Sequence, residues 1–191
     1  MKTQGGCLEP ASPGAATDAL DTPSPIAAIV HTGDGCADGP LLEFVRRLQS
    51  QGRVVRGLVA SPENALADRS MRAIFDLENG DIYPISQDLG KESRACCLNP
   101  GALLAAGVVL RRAIDGGADL VVVNRFGTLE ANGGGFSAEM LELMSRGRAL
   151  LTIVSESYLD AWREFTGGMA VELPPDVGAM LEWFAGIGRE A

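Results

Sequence analysis

No stretch of the 191-residue chain holds 18 or more consecutive apolar residues, so no segment reads as a membrane-spanning helix. The N-terminus has one lysine and then a polar, Pro- and Gly-rich run, without the apolar stretch of a secretory signal. Both absences make the cytoplasm the expected location, with no membrane partner. Basic residues are scarce: 16 Lys and Arg stand against 25 Asp and Glu, for a formal net charge of -9. That balance excludes a general nucleic-acid binder, whose affinity rests on clustered cations at the phosphates. It does not exclude a small anionic ligand, which needs only local positive potential. The four cysteines, Cys7, Cys36, Cys96 and Cys97, form no C-x-x-C pair. They are expected as thiols in a reducing cytosol, and their spacing supports no metal site. There is one histidine, His31, and no internal repeat.

What the chain does have is an ordinary globular composition, 46% hydrophobic and 21% charged. Its length suits one domain with a core of its own. Residues 1–24 read as a disordered tail of Gly, Pro, Ser, Thr, Ala and Asp, which leaves 25–191 as a single domain. Apolar runs at 26–30, 54–60, 120–123, 149–154 and 169–173 predict five strands. Amphipathic stretches between them predict helices, including one opened by Asn99-Pro100 and closed at Gly116-Gly117, and one capped by Ser137. Asn79-Gly80 between runs at 71–78 and 81–86 predicts a β-hairpin, with Pro84 marking its second arm as an edge. Strands alternating with helices imply a mostly parallel five-stranded sheet covered on both faces, plus that hairpin. Val30 and Val123 are expected as neighbouring strand tips.

Ligands of such sheets bind beyond the carboxyl ends of the strands. The first of those ends runs into Thr32, Gly33, Asp34, Gly35, Cys36, Ala37, Asp38, Gly39 and Pro40. A strand, a Gly-rich loop and a helix are the layout of a phosphate cradle, in which backbone N–H groups and a helix N-terminus face the anion. Measured against G-x-x-x-x-G-K-[ST], Gly33 serves as the first glycine, and Asp38, Gly39 and Pro40 fall where Gly, Lys and Ser/Thr belong. A plain glycine-rich βα turn is the competing reading. At the third predicted strand the apolar run leads to Asn124 and Arg125. Asn124 carries no charge and Arg125 stays protonated, so neither supplies the acid of a hydrolase. Arg125 suits bidentate capture of an oxyanion; an ion pair with a loop carboxylate is the alternative. Glu130 is the nearest carboxylate, a candidate to orient water or hold magnesium, or else a solvated loop acid. Gln87 lies in a polar loop that could close over a ligand. Cys97 sits before a helix N-terminus, where thiol pKa falls, and is either a ligand contact or a small core residue.

VVVNRFGTLE, the Gly-rich stretch after it, LLTIV, a W-R-containing helix and ELPPD together resemble an uncharacterised bacterial domain-of-unknown-function family, nucleoside-triphosphatase-like in description. PISQD at 84–88 and CLNPGAL at 97–103 fit the same family. The resemblance covers residue 26 to the end and implies a three-layer P-loop-NTPase-like fold. It also implies a link to molybdenum, since members are often encoded near molybdate transport functions. The family in turn resembles the small thermophilic and cancer-related nucleoside triphosphatases. Gly33, Gly127 and Glu130 match their pattern. Gly39 stands for the lysine, Pro40 for the threonine, Asn124 for the aspartate and Arg125 for the glutamate. Each such loss removes on the order of 10²-fold in rate. The expectation is therefore a degenerate, accessory or regulatory protein that binds a nucleotide, phosphate or molybdate at the sheet's carboxyl edge and is not an efficient enzyme. Magnesium enters only with a nucleotide. An active triphosphatase using Glu130, and a structural protein that dimerises through the hairpin edge, are the alternatives.

Overall fold

The computed structural model describes residues 23–32, 37–60, 73–86 and 99–188. Gly33, Asp34, Gly35, Cys36, Gln87, Cys96, Cys97 and nearly all of the expected tail lie outside the described residues. The strands are β1 (Ile26–His31), β2 (Val55–Ala60), β3 (Ala73–Asp76), β4 (Ile82–Pro84), β5 (Leu120–Phe126), β6 (Leu150–Ser155) and β7 (Val171–Leu173). The helices are α1 (Asp38–Ser50), α2 (Pro100–Asp115), α3 (Thr128–Ala131), α4 (Ser137–Ser145), α5 (Leu159–Phe165) and α6 (Val177–Ile187).

One sheet runs β4-β3-β2-β5-β6-β1-β7. The five expected parallel strands are its β2 to β7 portion, and the hairpin joins the same sheet, because β3 pairs antiparallel with β2. Successive side chains of the central strands go to opposite faces. Val121 and Val123 pack with α2, α4 and α5, whereas Leu120 and Val122 pack with α1 and α6. Both faces are therefore apolar, which is why these strands read as unbroken hydrophobic runs.

Several expectations need correction. Val30 and Val123 are not neighbours: β6 lies between β1 and β5, with Val30 opposite Val154 and Val123 opposite Thr152. Asn124 and Arg125 belong to β5 rather than to a loop. α1 begins at Asp38, so Asp38, Gly39 and Pro40 form its first turn instead of ending the Gly-rich loop. Ser137 makes no capping hydrogen bond; Phe136 holds the cap position of α4. β7 starts at Val171, because Gly167 and Gly168 close a turn at positive φ and leave Met169 exposed. The start of α2 is as expected: Asn99 Oδ1 accepts from Ala102 N at 3.2 Å, with Pro100 in the first turn.

The hairpin is tied down by charge. Asp76, fully buried, takes Arg112 of α2, and Arg112 also reaches Glu78 at 3.1 Å, which pairs with Arg56 at 3.0 Å. β4 is three residues long and carries Pro84, two features that blunt a free sheet edge.

At the other edge Arg163 of α5 grips Glu172 of β7 through two bonds, 2.7 and 2.9 Å. The guanidinium holds the Glu172 carboxyl below its ordinary value of 4.5. A lowered folded value means the contribution to stability is present above 4.5 and is lost as pH falls through the folded value. Glu172→Gln is therefore expected to lower the melting temperature slightly at neutral pH, the pair being exposed. The difference from the parent protein should shrink as pH falls below 4.5 and through the lowered folded value, as melting curves at neutral and acid pH would check.

Candidate functional site at the carboxyl edge of the sheet

His31 ends β1, directly opposite Ser155 at the end of β6, and Arg125 lies near the end of β5. What brings Arg125 into the site is a β-bulge. Val123 pairs with Thr152 and Phe126 pairs with Val154, so Asn124 and Arg125 together face one residue of β6. The extra residue also returns Phe126 to the same face as Val123, where it packs on Trp162 and Phe165 at 5.1 Å centroid separation. A bulge beside a strand end re-aims side chains in this way.

The Arg125 guanidinium then spans β6. Its Nη2 donates to Asp38 Oδ2 at 2.7 Å, in the first turn of α1, and its Nη1 stands 3.5 Å from His31 Nε2. Arginine only donates, so any hydrogen bond across that contact makes Nε2 the acceptor and puts the imidazole proton on Nδ1. His31 is 8% exposed, and its Nδ1 has no partner among the described residues. Asn124 Oδ1 is buried and likewise lacks a donor among them. His31 and Asn124, the neighbours of Arg125 in space and in sequence, therefore each carry a buried polar atom without a partner among the described residues. Buried polar groups are rarely left in that condition.

Of the expected site residues, the structure brings Asn124 and Arg125 to this edge with Thr32, which is exposed after β1. Gly39 is exposed in α1, and a Cβ there would meet nothing within 4 Å among the described residues. Glu130 is elsewhere in role. It is 7% exposed in α3, and its Oε2 accepts from Gly127 N at 3.1 Å while Oε1 accepts from Phe136 N at 3.2 Å. Both oxygens staple the backbone around it, so it is not a solvated loop acid. Asp38 and His31 are the residues that sequence reasoning undervalued. Asp38 counted there only as a residue standing where a glycine belongs, and the spacing of 87 residues to Arg125 carries no local signal.

The described residues at this edge do not fit a protein-held magnesium. Pro40 has no hydroxyl, Asn124 offers one neutral oxygen, and Asp38 is engaged by Arg125. Among the described residues no group of three or more His, Cys, Asp or Glu is arranged to hold a metal, and no helix is long and apolar enough to cross a membrane. A cavity of about 810 Å³ opens at the opposite end of the sheet, lined by Pro25, Leu48, Asp119, Ala149, Leu181 and Phe184. It touches none of the site residues.

A protein-family model described as "Protein of unknown function (DUF2478)" matches residues 26–183. The chain is 33% identical over 164 residues to the molybdenum import ATP-binding protein ModC 2 of Bradyrhizobium diazoefficiens; the match takes in 85% of this chain but only 18% of that relative's length. Among solved structures, a human cancer-related nucleoside triphosphatase superposes with a TM-score of 0.63 at 15% identity, covering 86% of this chain and 99% of that one. THEP1 from the hyperthermophile Aquifex aeolicus gives 0.56 at 15% identity, covering 78% and 90%. At such identities the likeness is one of fold: the three-layer α/β arrangement of these triphosphatases.

Proposed function

The chain belongs to the DUF2478 family, and on that premise we propose that it binds a phosphate-bearing ligand, a nucleotide above all, at the carboxyl edge of its sheet without hydrolysing it efficiently. The observation that carries this reading is Arg125, re-aimed by the bulge toward the N-terminus of α1 and set 3.5 Å from Nε2 of the buried His31. A guanidinium and a helix N-terminus facing one point favour an anion there. Kinship with a molybdenum import ATP-binding protein supports a nucleotide or molybdate as the ligand and an accessory role beside transport. Against efficient hydrolysis stand Gly39, Pro40, Asn124 and Arg125, at the four positions where the resembled triphosphatases carry lysine, threonine, aspartate and glutamate. Magnesium would arrive on the nucleotide rather than on protein ligands.

Isothermal titration of the full chain with ATP, GTP, phosphate and molybdate tests the proposal. At least one of these should bind, and Arg125→Ala should weaken that binding by at least about tenfold, the loss of one charge-assisted contact. Silence across the panel would end the reading. Brisk phosphate release with magnesium would leave binding in place and overturn the claim of weak hydrolysis.

A further inference from the structure

The site already holds an anion of its own. Asp38 is the first residue of α1, and its Oδ2 sits 2.7 Å from Arg125 Nη2. A carboxylate there takes up the two features that would attract a ligand: the guanidinium, and the positive end of the helix, which favours acidic residues in its first turn. The partial exposure of the pair, 41% for the Arg125 side chain and 23% for that of Asp38, lets water and solutes reach it.

Resting on the function proposed above, we infer that Asp38 is an internal competitor that sets the selectivity of the site. A ligand must displace its carboxylate from Arg125. A singly charged oxyanion only exchanges one negative charge for another and gains little. A diphosphate or triphosphate brings more charge and more oxygens than the carboxylate it displaces, so it can take Arg125 with a net gain. The ligand class is then polyphosphate-bearing, and Asp38 acts as the filter against small monoanions.

The experiment is titration of the full chain and of Asp38→Asn, Arg125→Ala and the double variant with pyrophosphate, ATP and nitrate, with thermal melts to confirm folding. Asp38→Asn is expected to bind pyrophosphate and ATP about tenfold more tightly and to bind nitrate measurably, the gain expected from removing one like charge. The gain must disappear in the Arg125→Ala background, as it would not if Asp38 only shaped the helix. Unchanged or weaker binding by Asp38→Asn, with the parent still binding ATP, overturns the inference and leaves the proposed function standing. No binding by any of the four proteins overturns both.

Discussion

Gly57→Ala is expected to leave no stably folded protein. Gly57 sits in β2 where the strand changes partner: Val55–Gly57 pair with β5, Leu58–Ala60 with β3, and Gly57 O accepts from Leu77 N at 3.0 Å. Its φ is +116°, a conformation L side chains rarely adopt, and an added Cβ would stand 2.0 Å from Val122 O and 2.8 Å from Val122 N. Those atoms are backbone of the central strand β5 and cannot rotate away. Backbone strain alone costs about 1–3 kcal/mol. Separating β2 from β5 adds to it, in a protein whose whole stability is on the order of 5–15 kcal/mol. The checks are soluble yield and the far-ultraviolet circular dichroism melt. Gly39→Ala is the control. A Cβ at Gly39 meets none of the described residues and sits in a helix turn, so the variant's melting temperature should hold or rise by a degree or two, the effect of a better helix former. A cooperative, near-parental melt for Gly57→Ala would show that β2 does not approach β5 as described.

Glu130→Ala is expected to cost about 3 kcal/mol, and Glu130→Gln about 1 kcal/mol. Both carboxylate oxygens are committed to backbone N–H groups, Gly127 at the start of α3 and Phe136 before α4. Alanine leaves two donors without an acceptor, one of them buried, whereas glutamine keeps one carbonyl oxygen and loses the charge. For a domain of this size about 3 kcal/mol lowers the melting temperature by roughly 6–12 °C. Amide exchange at Gly127 and Phe136 should quicken in both variants. Were Glu130 instead a base that activates water, glutamine would abolish phosphate release while leaving the melt unchanged. The close approach of Gly135 belongs to the same device: φ is +56°, and a Cβ there would stand 2.0 Å from Glu130 Oε1, so the chain must be glycine where it wraps the carboxylate.

Local pattern by itself determined the parallel strands as apolar runs, the hairpin at Asn79-Gly80, the N-terminus of α2 at Asn99-Pro100, and the edge of the sheet at which His31, Asn124 and Arg125 emerge. Each rests on a period, a cap or a turn residue, which acts over a few neighbours and so is written in a few neighbours. The tertiary structure alone decided that β6 enters between β1 and β5, since nothing in a strand's sequence names the strand it will pair with. It alone decided that one extra residue in β5 turns Arg125 onto Asp38, 87 positions away, and that Glu130 faces inward to hold two amides. Those outcomes depend on where side chains meet once both faces of the sheet are packed, and packing is a property of the whole chain.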